Sequence, residues 1–243
     1  MDSRQQEPGT AVVFGAGGGI GRALVELLAQ RGLAVHAGAR SLPQGLPAGV
    51  QPFTFDLTSE DSVAAALAAI PGPIDLVLVA TGVLQDNARG LAPEKTWRAL
   101  DPAAMAQAFA INAIGPAIIA KHGLPRLRRD GRAVFAALSA RVGSIADNRL
   151  GGWHSYRASK AALNQIVRTC AVELARTHPK AVAATLHPGT VATPLSAPFQ
   201  RGVAADRLFT PEHSAAHLLR VIDGLTPADS GGFFAWDGTP IPY

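Results

Sequence analysis

Cysteine and tyrosine are the scarce residues of this 243-residue chain, with one copy and two. A lone Cys170 in a helical stretch excludes a disulfide framework and points to a reducing compartment, the cytoplasm. No metal-ligand set is assigned. Charge is sparse at 16%, against 48% hydrophobic residues, which excludes disorder and describes a globule with many buried elements. Lysine supplies only 4 of the 22 basic residues. The arginines are scattered, and the densest group, Arg126, Arg128, Arg129 and Arg132, flanks Gly131 where a helix gives way to a strand. Cations there complement a helix C-terminal dipole, so no nucleic-acid stripe is expected. The opening MDSRQQEPGT lacks an apolar core for a signal peptide, and residues 1–9 are expected to fray. Residues 103–120 are uncharged and about as long as a membrane span. They are rich in Ala and hold Gln107, Asn112 and Gly115-Pro116, which suit a packed helix, so no span is expected.

Seven apolar runs of strand length alternate with helical segments: AVVF at 11, LAVHAGA at 33, VQPFTF at 50, DLVLVA at 75, AVFAAL at 133, AVAATL at 181 and FFAW at 233. Continuous apolar runs mark strands buried on both faces, and the helices between them make right-handed crossovers. The expected fold class is α/β, a doubly wound parallel sheet of about seven strands with helices on both faces, Rossmann-type. No repeat or linker divides it, so a single domain covers residues 10–243. Helix starts are legible in the capping-box spacing of Thr58 and Asp61, and in Asp101-Pro102 and Thr210-Pro211, each an N-cap before a first-turn proline.

The first strand runs into GAGGGIGRAL. Glycines in a strand-to-helix turn let backbone approach a pyrophosphate and present amides and the helix dipole to it. Spacing excludes two alternatives. The sixth position of GxGxxG counted from Gly15 is Ile20, and no Lys-Ser or Lys-Thr follows for a Walker loop. Gly15, Gly19 and Gly21 instead fit GxxxGxG. In YRASK, Tyr156 and Lys160 stand four apart, on one helix face, with Cβ atoms roughly 5–6 Å apart. A phenol with a reference pKa of about 10 is a poor base at neutral pH, and a nearby ammonium would stabilise its anion, so the pair suits proton transfer.

GxxxGxG near the N-terminus together with YxxxK at 156 resembles the short-chain dehydrogenase/reductase family. The run LSARVGSIADNRLGGWHSYRASKAALN and the ending FFAWDGTPIPY are similar to its C-factor-like and sniffer-type carbonyl reductase branch. The resemblance implies an oxidoreductase that moves a hydride between nicotinamide and a carbonyl or alcohol. In that pattern Tyr156 exchanges the proton, Lys160 holds the nicotinamide ribose and lowers the tyrosine pKa, and Asn112 bonds a helix carbonyl and holds a water beside the lysine, extending a relay. The dinucleotide is implied to lie on Gly15, Gly17, Gly18, Gly19, Ile20 and Gly21, with Asp56 and Leu57 at the adenine and Ala80, Thr81 and Gly82 beside it. In HPGTVAT, Pro188 and Gly189 shape a turn from which Val191 and Thr193 reach the nicotinamide end. The chain departs from the pattern at Phe14, where threonine is usual, and at Val79 and Ala80, where asparagines are.

The dinucleotide is read from the end of the second strand, HAGAR. An acid there would take the ribose diol of NAD, whereas Arg40 offers a guanidinium to a 2′-phosphate, so NADP(H) is favoured over NAD(H). Where the family usually has two serines, Ser139 is followed by Ala140. Ser139, Ser144 and His154 are the candidates to replace the missing hydroxyl, and the sequence does not separate them. This loss leaves a second reading open, a dinucleotide-binding signalling or scaffold protein of little turnover, while Tyr156, Lys160 and Asn112 favour the enzyme. The substrate is expected to be a small, apolar carbonyl compound held by Trp153 and the segment 195–209, with Leu195, Phe199, Leu208 and Phe209. A homodimer or homotetramer is implied, formed by the helices carrying Asn112 and Tyr156, with Ala161, Ala162 and Ala171 allowing close approach.

Overall fold

Seven parallel strands form one sheet in the computed structural model, which describes residues 8–200, 204 and 207–243. They are β1 (Thr10–Phe14), β2 (Ala34–Ala39), β3 (Gln51–Thr54), β4 (Leu76–Val79), β5 (Ala133–Leu138), β6 (Ala181–His187) and β9 (Phe233–Ala235), one for each apolar run. A separate two-stranded ribbon, β7 (Thr190–Val191) and β8 (Leu208–Phe209), interrupts the series. The sheet order is β3-β2-β1-β4-β5-β6-β9. The chain reverses direction across the sheet between β1 and β4, which opens a crevice at their C-terminal ends.

Six helices cover the sheet: α1 (Gly19–Gln30), α2 (Glu60–Ala68), α3 (Pro102–Phe109), α4 (Gly115–Gly123), α5 (His154–Leu174) and α6 (Pro211–Gly224). Because side chains alternate along a strand, each strand feeds two cores. Val13, Leu78, Ala136 and Leu186 meet Leu24 and Leu28 of α1 and Leu218 of α6. On the other face Phe14, Val77 and Phe135 meet Leu67 of α2, Ile119 of α4 and Leu163 and Val167 of α5.

Phe14, the first departure from the family pattern, is a core residue. It is fully buried and stands edge-on to Phe53 and Phe55, with ring centroids 5.5 and 4.9 Å away. The same cluster requires glycine at 38, where a Cβ would lie 2.3 Å from Phe53 Cζ.

The uncharged run folds as α3, a π-helical turn at Ala110–Ile114, and α4. By length and composition Pro102–Arg126 could cross a membrane. In this fold it buries Ala108, Asn112, Ile119 and Ala120 against its neighbours, as a core helix does.

Two local expectations change. The N-cap of α2 is Ser59, which accepts from Ser62 N at 3.3 Å, because Thr58 instead gives its hydroxyl to Asp56 Oδ1 at 2.7 Å. Asp101 and Thr210 cap α3 and α6 as expected. The arginine group does serve helix C-termini, but those of helices distant in sequence. Arg126 donates to the carbonyls of Leu67, Ile70 and Gly72 at the end of α2, and Arg132 to those of Ile222 and Leu225 at the end of α6. Arg128 pairs with Asp75, whose carboxylate also accepts from Thr10 N at 2.7 Å. Residues 1–7 lie outside the described residues, whereas Gly9 O already accepts from Ala34 N at 3.0 Å.

Replacing Arg126 by Met removes the guanidinium from three carbonyls, of which Leu67 O still accepts from Ile70 N. The expected loss is ~1–3 kcal/mol of unfolding free energy, read from urea denaturation.

Candidate active site

At the crevice β1 passes into Gly15, whose φ of 96° no other residue type adopts readily. Gly15 N and Ala16 N both donate to Gly38 O at 2.9 Å, which fastens the loop to β2, and Gly18 N donates to Gly15 O at 3.0 Å. A Cβ at Gly21 would lie 2.2 Å from Gly15 O, and one at Gly19 would lie 2.9 Å from Thr193 Cγ2. No side chain caps α1. The amides of Gly19, Ile20 and Gly21 therefore have no intrahelical acceptor and are available to an anion. A cradle without Cβ atoms at an open helix N-terminus fits the pyrophosphate of a dinucleotide. Gly17 sits against Ala39, so the exposed Arg40 follows beside the loop.

The other expected contact positions ring the same crevice. Asp56 is exposed and accepts from Thr58 N and Oγ1, and Leu57 packs on Gly115 of α4. Ala80 N donates to Phe14 O at 2.8 Å. Thr81 Oγ1 is buried without a hydrogen-bond partner among the described residues. A Cβ at Gly82 would lie 3.4 Å from Asn112 Oδ1 and 3.5 Å from Lys160 Nζ, which brings the end of β4 onto α5. Pro188 O accepts from Ser214 Oγ at 2.8 Å, Gly189 packs on Phe209 and Trp236, Val191 is buried in β7, and Thr193 closes against Gly19.

Tyr156 is the third residue of α5, and Lys160 Nζ lies 6.0 Å from its ring centroid. The ammonium donates to Leu138 O at 2.8 Å and is almost fully buried. Burial pushes the lysine pKa down to about 8 and the tyrosine up to about 12. The ammonium was expected to lower the phenol. Tyr156 moves the other way because desolvation disfavours both charged forms.

Asn112 is fully buried in the π-helical turn, a feature that often marks functional sites. Its Oδ1 accepts from Val83 N, and its Nδ2 donates to Val83 O and Ser159 Oγ, at 2.8, 2.8 and 3.1 Å. The amide thus clamps the segment after β4 to α5, and the expected bond to a helix carbonyl is replaced by this clamp.

Ser159, Glu94, Ser155 and His187, which sequence reasoning missed, complete the frame. Ser159 is the far end of the Asn112 clamp. Glu94, only 6% exposed, accepts from Ser155 N and from the Ser155 hydroxyl at the start of α5. His187 ends β6 with a pKa pressed down to about 4 by burial first and by Arg141 second, so its ring is neutral. None carries a local signal, since each contact joins segments far apart in the chain. Trp153 leads into α5 with a left-handed backbone, φ 53° and ψ 42°, a conformation that costs of order 1–3 kcal/mol for a non-glycine residue.

Of the candidates for the absent hydroxyl, Ser139 is buried with no partner for its Oγ among the described residues, and Ser144 is occupied by Asp147 N. His154 opens α5 with its Nδ1 buried and without a partner there. Within the expected substrate segment, residues 201–203, 205 and 206 lie outside the described residues. Phe199 packs on Trp153, with centroids 4.9 Å apart. Phe209 turns instead to Trp236 and His213. Ala171 also departs from expectation, since it is buried in the core beneath α5 and cannot face another subunit.

The open N-terminus of α1, the end of β4 and the helix carrying half-buried Tyr156 and buried Lys160 thus border one crevice. The model of the short chain dehydrogenase family matches residues 9–203. The chain belongs to the short-chain dehydrogenase family. This short-chain dehydrogenase is therefore an oxidoreductase acting on CH–OH or C=O groups with a nicotinamide cofactor. It is similar to the C-signal protein of Myxococcus xanthus, 39% identical over 71% of this chain and 94% of that one. It is also similar to 1-hydroxy-2-glutathionyl-2-methyl-3-butene dehydrogenase of Rhodococcus sp. strain AD45, 33% identical over 96% and 99%. Among solved structures, NADPH-bound carbonyl reductase from chicken fatty liver shares the fold, with a TM-score of 0.84 and 24% identity over 98% and 96%.

The Tyr156–Lys160 pair shapes the alkaline pH response of the ligand-free protein, with the Cys170 thiol, raised chiefly by burial, acting against the lysine. Lys160 titrates at about 8 folded and near 10.5 unfolded, so between these values only the unfolded chain holds the proton and stability rises with pH. Tyr156 keeps its proton to about 12 folded and to about 10 unfolded, so stability falls again over that window. Urea midpoints of the wild type should climb from roughly pH 8 towards 10, and Lys160→Met should abolish the climb.

Proposed function

We propose that this short-chain dehydrogenase works as an NADP(H)-dependent reductase of small apolar carbonyl compounds. The observation that carries the reading is the Tyr156–Lys160 pair, a half-buried phenol beside a buried ammonium, in which the phenol stays protonated at neutral pH and is ready to donate. The dinucleotide, when bound, supplies the hydride to the carbonyl carbon. Tyr156 gives its proton to the carbonyl oxygen, and Lys160 holds the ribose beside Gly82. Asn112 keeps Val83 and Ser159 fixed around that lysine and so supports the proton path. Arg40, exposed beside the glycine loop, supports the preference for a 2′-phosphate. Trp153 and Phe199 supply an apolar wall for the substrate.

Ala140 removes one donor to the carbonyl oxygen, a loss worth ~10²–10³ in turnover, so activated carbonyls such as quinones and diketones are the better substrates. The intact reactive pair favours this enzyme over a scaffold of little turnover. The single half-buried Cys170 fits a cytoplasmic location. Exposed Ile114 beside α4 and Val172 on α5 suit pairing of these helices in a homodimer or homotetramer.

Fluorescence titration should show tighter binding of NADPH than of NADH, and Arg40→Asp should weaken NADPH by ~1–3 kcal/mol. Equal affinities would remove the NADP preference. In a panel of aldehydes, ketones and quinones, Tyr156→Phe should abolish turnover while NADPH binding persists, and Ala140→Ser should raise it. If neither the wild type nor Ala140→Ser reduces any carbonyl, the reductase reading gives way to the binding protein.

A further inference from the structure

We propose that Glu94 is a positioning residue for the reaction: its buried carboxylate fixes the first turn of α5 and holds the phenol of Tyr156 in place as proton donor. The inference rests on the role of Tyr156 proposed above. α5 has no cap of its own, since Trp153 supplies no side-chain hydrogen bond. Gly151, Gly152 and Trp153 follow one another in the left-handed region, with φ of 64°, 66° and 53°. Such a path holds only when the surroundings pin it. Glu94 pins it at two points. Its backbone oxygen accepts from Trp153 N at 2.5 Å, and its two carboxylate oxygens accept from Ser155 N at 3.3 and 3.2 Å, with the Ser155 hydroxyl donating as well. Tyr156 is the next residue.

The carboxylate is costly where it stands. Among the described residues it has no cation within ion-pair distance, so the amide end of α5 and the Ser155 hydroxyl are what offset its burial. An apolar side chain there would leave the amide and hydroxyl of Ser155 without their acceptor, so the carboxylate serves the turn that bears Tyr156. A cavity of about 10 Å³, room for about one water, is lined by Glu94, Ser155, Tyr156 and Val83. The residues brought to it by α3 and by the segment after β4 carry no charge. Lys160, His154 and Arg157 stand on α5 itself, and Lys95 is exposed beside Glu94. Glu94 is thus an acid in direct contact with the turn that bears the phenol.

Tyr156 and Tyr243 are the two tyrosines of the chain, so in Tyr243→Phe protein the phenolate absorbance reports Tyr156 whatever the substrate. In that background Glu94→Leu removes the charge and fills the space, while Glu94→Gln keeps an acceptor. Glu94→Leu leaves two donors of Ser155 without an acceptor, so its thermal midpoint should fall modestly while it binds NADPH within about twofold of its parent. Its Tyr156 should ionise at least about half a pH unit lower, because a fixed negative charge has left the phenolate's surroundings. With a carbonyl substrate kcat should fall about tenfold or more at unchanged KM for NADPH, as expected of a displaced proton donor. Glu94→Gln should recover most of that loss. Unchanged ionisation, or a joint loss of thermal stability, NADPH binding and kcat, overturns the proposal. If the wild type reduces no carbonyl, the reductase reading fails, and the absorbance titration still decides the placement of Tyr156 by Glu94.

Discussion

Lys160 carries an ammonium into a part of the molecule that offers it one backbone carbonyl, that of Leu138, and little water. The elements around it are arranged by that demand. β5 ends where its last carbonyl can accept the proton, Gly82 leaves room at the end of β4, and Asn112 holds that end against α5. A charge so confined is weakly held as a cation, and the neighbouring phenol is equally reluctant to become an anion. Both shifts have the same origin, and the phenol stays protonated at neutral pH.

That state also explains how Asn112 acts. Its amide is spent on Val83 and Ser159, so its work in this structure is mechanical: it keeps two chain segments at the spacing the lysine requires. The π-helical turn between α3 and α4 is the local deformation that goes with this, in a helix that otherwise runs on as core.

Much of this was legible in the residue order. All seven apolar runs became strands, the inner ones because a strand buried on both faces can hide no polar alternation, whereas the edge strand β3 is largely exposed, and the glycine loop announced its turn through residues that no side chain could replace. The reactive pair was visible because helical periodicity places residues four apart on one face. What escaped depends on contacts across the fold. Glu94 looks like an ordinary surface acid until residues 61 positions away close over it. The direction of the Tyr156 shift needed the burial of both groups, which spacing does not report. Ser59 displaced Thr58 as the cap of α2 because a local side-chain bond to Asp56 competed successfully for the threonine.

The aromatic group beneath β1 has a consequence for how such a molecule can change. Phe53 occupies the space a side chain at position 38 would need, while the carbonyl of Gly38 receives the first two amides of the glycine loop. Hydrocarbon packing on the hidden side of β2 therefore sets the height of a polar loop on its rim. Drift at positions 14, 38 and 53 is expected to be correlated, and a methyl group gained or lost there would be felt as a displaced dinucleotide rather than as a softer core.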